Sequence, residues 1–297
     1  MELKHLRAFV ALAEELHFGR AAQRLCIVQP ALSMQIKALE EELDVRLFER
    51  DRHKVVLNAT GRLFLPEARA TLHQAGRAEQ IARLSARGEI GTLRIAFVSS
   101  VLPKLLPSLI REMHTRYPLI TLELKDMPTP DQIAALRENQ LDFGLIRLPV
   151  SGSGLDIRVV LEEPFVVALP DDHALAAQTS IHPPDLRGFP AFVLARRYAP
   201  GFHDDMLVAL KREGVDLNIA QELGEFSTML ALVSAGLGIG VIPAAAAMAL
   251  PPKVVARPLE LRDHTSGIGL ASCGPENAIK RALLDVIELC TDIRKQA

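Results

Sequence analysis

The chain has 297 residues, of which 49% are hydrophobic and 24% charged, with a net charge of −2. That length implies more than one module, and the apolar content is enough for full cores, which excludes a disordered or fibrous chain. The near-neutral balance excludes a protein coated in basic groups for nucleic acid, so any DNA-facing charge must be local. Leu3, Leu6, Phe9, Val10 and Ala13 recur at helical spacing and predict an opening helix, broken near Gly19. A short Ala-rich helix follows over 20–25. Gln29-Pro30 opens a third helix over 29–42, with the proline where its missing N–H does no harm. Leu32, Ile36, Leu39 and Leu43 form that helix's apolar stripe. Residues 47–57 read as a hairpin with a basic tip, and Asn58 as the cap of a long helix over 59–87. In that helix Leu65, Ala68, Leu72, Ala75, Glu79 and Ala82 form a seam suited to pairing with another helix. Pro66 predicts a kink, or a helix that becomes regular only after it, because an interior proline costs about 3 kcal/mol. Gly88 and Gly91 predict a hinge.

From Thr92 strands and helices alternate. Strands are expected over 92–98, 121–127 and 143–148, and helices over 104–116 and 131–139. A second unit of the same kind has strands over 165–169, 192–194, 219–223, 239–242 and 254–258, and helices over 202–212 and 226–235. A last strand over 268–272 and a helix over 276–293 complete the chain. The order predicts mostly parallel sheets covered by helices, in two lobes with a cleft between them. The fold class is therefore α/β with an N-terminal helical module. Cys26, Cys273 and Cys290 show no metal-ligand spacing. The first twenty residues do not read as a secretory signal, and no apolar run approaches a membrane span. The expected location is cytoplasmic.

The helices over 20–25 and 29–42, joined by a tight turn, fit a helix-turn-helix, whose second helix enters the major groove. Gln29, Pro30, Ser33 and Gln35 stand at its start and on its polar side, where Gln can read base edges. Lys37 and the hairpin group Arg50, Arg52, His53 and Lys54 can meet phosphates, which fix register without reading sequence. Residues 1–60 carry equal numbers of acids and bases, but Glu40 to Asp44 lie at the far end of the third helix from its leading turn.

The stretch AAQRLCIVQPALSMQIKALEEELDVRLFER, with VVLNATGRLFLPEA after it, resembles the DNA-binding region of the LysR-type transcriptional regulators. Phe18, Ala21, Ala22, Leu25, Gln29, Pro30, Ala31, Ser33, Ile36, Leu39, Leu43, Phe48, Arg50 and Gly61 carry the likeness. Two departures stand out. Val28 replaces the usual Ser or Thr, and Met34 replaces a common Arg. The resemblance implies a winged helix-turn-helix over 1–58, a linker and dimerisation helix over 59–88, and an effector domain over 89–297. That domain would be like a periplasmic binding protein, with one lobe of 92–161 and 267–297 and the other of 162–266. It also implies double-stranded promoter DNA, RNA polymerase and a small effector as partners, activator behaviour, a dimer of dimers and no cofactor. The chain is most similar to the branch responding to aromatic acids and their ring-cleavage products, so an aromatic or dicarboxylic acid is the implied effector.

Ser99, Ser100, Thr129 and Arg147 follow strand ends, where ligands of open α/β sheets bind, and Arg with hydroxyls suits a carboxylate. In the branch it resembles, positions matching Ser99, Thr129 and Arg147 contact the acid. Pro200 and Phe202 belong to a second-lobe segment similar to the same branch. Each candidate has a structural alternative: a cap for Ser99, a turn for Thr129, an inter-lobe salt bridge for Arg147 and core packing for Phe202. An enzyme is disfavoured, since no GxSxG, P-loop or HExxH is present. Gly236 to Gly240 lacks dinucleotide-binding spacing, and the second lobe holds no cysteine for a thiol sensor.

Overall fold

The computed structural model describes residues 1–51, 54–150, 154–262 and 264–295. The chain divides between Leu84 and Ser85 into two compact units.

In the first unit, α1 (Leu3–Glu15), α2 (Phe18–Arg24) and α3 (Gln29–Leu43) precede the hairpin β1 (Phe48–Asp51) and β2 (Lys54–Leu57) and the long α4 (Ala59–Ala86). Leu6, Phe9 and Leu12 of α1, with Leu32, Ile36 and Leu39 of α3, form one apolar cluster. The Phe9 ring lies 5.5 Å from that of Phe48 and 5.1 Å from that of Phe64, which ties both wing and long helix to α1. The buried Glu40 carboxylate accepts the N–H groups of Leu47 (2.8 Å) and Phe48 (3.3 Å), so the end of α3 holds the start of the wing. Asn58 caps α4 as expected, accepting from Gly61 N–H at 2.7 Å. A Cβ on Gly61 would stand 2.2 Å from the Leu47 carbonyl oxygen, so only glycine lets α4 start this close to the wing. Glu14 receives Arg24 of α2 and Arg69 of α4 at 2.7 and 2.5 Å, a surface tie among three helices.

Helix α4 is continuous through Pro66. Pro66 is exposed, as is Arg62, whose carbonyl loses its helical partner and is left to water. The seam is also not free along its length. Leu65, Ala68 and Leu72 pack on the core of their own unit, whereas Leu63 and Ile81, 77% and 48% exposed, lie outside it.

The second unit contains two five-stranded sheets. In the first, β3 (Ile90–Phe97) runs parallel to β4 (Leu119–Asp126) and β5 (Phe143–Arg147). Antiparallel β12 (Ser266–Ser272) then joins β5 to β6 (Asp156–Glu163). Helices α5 (Leu106–Arg116) and α6 (Thr129–Arg137) follow β3 and β4. The second sheet is built from β7 (Phe165–Pro170), β8 (Pro190–Leu194), β9 (Asn218–Leu223), β10 (Ile239–Pro243) and β11 (Val254–Pro258), in order β11-β7-β10-β8-β9. Helices α7 (Pro200–Arg212) and α8 (Phe226–Ser234) pack on it, and α9 (Ala278–Lys295) returns to the first sheet. The sheets are mixed, not mostly parallel. β7 is antiparallel to β10 and β11, and β12 to its two neighbours. The chain crosses between sheets twice, and the strand that follows each crossing, β7 and then β12, runs against its neighbours. Strand β6 escapes prediction because it is an edge strand with Asp156, Arg158, Glu162 and Glu163 and few buried positions. Gly88 is a packed position and not a free hinge. Its φ is +70°, and a Cβ there would lie 2.4 Å from the Ala278 backbone.

Candidate nucleic-acid interface and effector cavity

Helix α3 is amphipathic. Its apolar stripe is buried, and Gln29, Pro30 and Lys37 are exposed, with Ser33 and Gln35 half-buried. Val28, its N-cap, forms no side-chain capping bond, consistent with a valine there. Lys37 pairs with Glu41 one turn on at 3.4 Å, on the surface, where such pairs hold weakly. Arg50 and Lys54 fall in β1 and β2, one pair apart in the hairpin register. Arg52 and His53 lie outside the described residues. Between Pro30 and Lys37 the side chain of Met34 is 72% exposed, an apolar group in the middle of a polar face.

The second unit encloses a cavity of about 270 Å³ whose walls include Ser99, Ser100, Asp126, Arg147, Tyr198 and Glu225. Arg147 ends β5, a strand buried at every position, so its side chain leaves the core directly beneath the cavity. The guanidinium donates to Ser266 Oγ, Ser100 Oγ and, at 3.5 Å, Glu163 Oε1. Glu163 in turn accepts the Ala245 N–H at 2.6 Å. Glu163 and Ser266 sit at the two chain crossings, so Arg147 is fastened to both. Its guanidinium carbon lies 5.2 Å from the Phe202 ring centre and 6.0 Å from that of Phe226. Burial pulls the Arg147 pKa down to about 10 while Glu163 opposes the shift, so the group stays protonated at neutral pH.

The expected effector residues divide. Ser99, Ser100 and Arg147 share the first cavity. Thr129 and Pro200 line an adjoining one of about 470 Å³, which also reaches Arg147. The Thr129 hydroxyl accepts the Arg147 backbone N–H at 3.0 Å, and its own N–H donates to the Tyr198 carbonyl at 3.1 Å. Phe202 is 2% exposed, stacked 5.7 Å from Phe165, and forms the floor under Arg147. Sequence reasoning missed Glu163 and Ser266, whose strand ends carried no motif, and the acids Asp126 and Glu225. Asp126 could have been found by the strand-end rule that marked Thr129. Burial and the nearby Glu225 push its carboxyl pKa up. Among the described residues no cation pairs with either acid; the Glu225 carboxylate accepts from Ser227 Oγ at 3.0 Å.

Known proteins share this fold. A family profile described as "Bacterial regulatory helix-turn-helix protein, lysR family" matches residues 3–62, and one described as "LysR substrate binding domain" matches 86–292. The HTH-type transcriptional regulator AlsR of Bacillus subtilis is 39% identical over 83% of this chain and 82% of its own. The Hca operon transcriptional activator HcaR of Escherichia coli is 36% identical over 97% of each chain. Full-length CbnR, a LysR family regulator solved in complex with its target DNA, superposes with a TM-score of 0.86 at 27% identity, covering 98% of this chain and all of that one. The chain therefore belongs to the LysR family: it is a DNA-binding transcriptional regulator governed by a small-molecule effector, and not an enzyme.

Proposed function

We propose that the effector is a small monocarboxylic acid with an apolar, ring-sized body, held in the cavity over Arg147. The observation that carries this reading is the buried Arg147, fixed by Ser100, Ser266 and Glu163 at a cavity whose walls also carry Ser99 and two acids, Asp126 and Glu225, that pair with no cation among the described residues. Ser99 and Ser100 supply donors for a carboxylate, and Arg147 supplies positive charge. Tyr198 and Phe226 offer aromatic wall. The far end of the ligand faces Asp126 and Glu225. A second carboxylate there meets like charge, so a dicarboxylic acid is disfavoured against a monoacid with a hydroxyl or amine at that end. Thr129, Pro200 and Phe202 act by positioning: Thr129 holds the Arg147 backbone, Phe202 supports its guanidinium and Pro200 borders the adjoining space.

On the DNA side, Gln29, Pro30, Ser33 and Gln35 face the groove, and Lys37, Arg50, Arg52, His53 and Lys54 meet phosphates. Helix α4 joins two copies, and a dimer of dimers presents paired recognition helices to a pseudo-palindromic promoter. Effector binding shifts that assembly towards the arrangement that engages RNA polymerase, making the protein an activator. It does so only by binding one arrangement more tightly than the other.

Calorimetric titration of the full chain with benzoate, 4-hydroxybenzoate and terephthalate tests the effector class. The monoacids are expected to bind at least about tenfold more tightly than the diacid, the factor given by ~1.4 kcal/mol of repulsion. Arg147→Lys keeps the charge, loses the planar fork and is expected to abolish binding while leaving promoter affinity unchanged. Preference for terephthalate, or undiminished binding by the variant, would refute the assignment.

A further inference from the structure

Met34 has the wrong polarity for hydrogen-bonded base recognition, yet it sits where recognition takes place. Among the described residues it is, after Leu63, the most exposed large hydrophobic side chain. It lies one helical turn after Pro30, next to Ser33 and three residues before Lys37, at the centre of the solvent face of α3. Among the described residues of its own unit, none covers it. Thymine is the one base that shows an apolar group, its 5-methyl, in the major groove. A methionine suits such a contact, being unbranched, polarisable and able to adapt to a small apolar surface.

We propose that Met34 is a specificity-determining residue that reads a thymine through van der Waals contact with its 5-methyl group. This rests on α3 being the helix that enters the groove. Gln29 and Ser33 beside it supply hydrogen bonds to neighbouring bases. The operator of this chain is thus read at that position by a methyl group and not by a charged or hydrogen-bonding side chain.

The test uses the full-length protein and a duplex site selected from random DNA. Each thymine in the protected half-sites is replaced singly by deoxyuridine, which removes the methyl and leaves the base pairing intact. Wild-type binding, followed by fluorescence anisotropy, is expected to weaken about fourfold at one thymine per half-site, the factor for one buried methyl-sized group. Met34→Ala is expected to bind the thymine site more weakly and to lose this sensitivity, and Met34→Leu to keep it. Because Met34 is exposed, both variants should melt as wild type does. If no thymine is sensitive, or Met34→Ala pays the same deoxyuridine penalty, the proposal is overturned while the groove-reading helix stands. If a Gln29→Ala, Ser33→Ala double variant also selects the same site with the same affinity, the groove-reading assignment falls with it.

Discussion

Arg147 and Glu163 are 2% and 1% exposed in their side chains, so two opposite charges are sealed together inside the effector unit. Removing two ions from water is costly, and their attraction offsets this only when hydrogen bonds satisfy the remaining groups. Here Ser100, Ser266 and the Ala245 N–H do so. Removing one partner strands the other. Glu163→Ala is expected to lower the unfolding free energy in urea by about 3–5 kcal/mol, and a double replacement of Arg147 and Glu163 by methionine to recover most of that loss. A double variant no more stable than Glu163→Ala would show that the pair is not the relevant unit. The sequence left Arg147 between ligand anchor and salt bridge. It makes the bridge and lines the cavity, its guanidinium resting over Phe202 while it reaches Glu163.

At the scale of elements, β3 and β5 are locked by Arg94 and Asp142. Asp142 Oδ1 and Oδ2 each accept from the Arg94 side chain at 3.1 Å, and Oδ2 also accepts its backbone N–H at 2.9 Å. Burial pushes the Asp142 carboxyl pKa up, but the Arg94 bonds more than reverse it, leaving it below its ordinary 3.8. A carboxyl depressed in the folded state contributes stability above its unfolded pKa and loses it as pH falls through the folded value. Asp142→Asn should therefore be less stable than wild type at pH 7, and the gap in urea midpoint should close as pH falls to about 3. A gap constant with pH would mean the lock is not ionic. The regular elements were legible here because apolar runs and periodic helices are local signals. Strand β6 was not, since an edge strand needs few buried residues and its pairing with β12 is made over a hundred positions away.

For the whole molecule, the exposed apolar residues of α4 bear on assembly. Leu65, Ala68 and Leu72 are spent on their own unit, and Leu63 and Ile81 are exposed; the proposed pairing of two copies through α4 falls on these two. Ile81→Glu is expected to shift the assembly to monomers in light scattering and to weaken promoter binding steeply, as joined half-sites become independent. An unchanged mass at low micromolar concentration would place the interface elsewhere. Under the proposed function, coupling between effector and DNA runs through that assembly, since a ligand shifts an equilibrium only through its differential affinity for the states.

The family, the helix-turn-helix and the two α/β repeats were decided by the sequence alone, because capping residues, apolar periodicity and a long fixed-spacing motif act over short distances. Residue types at strand ends pointed to Ser99, Ser100 and Arg147, which the fold brings to one cavity. Only the tertiary structure decided that the sheets are mixed, that half of the α4 seam is internal, and that Arg147 has Glu163 for a partner and shares its cavity with two acids. Those outcomes depend on which distant segments share a sheet edge or a cavity wall, and such neighbours are set by packing and not by position in the chain.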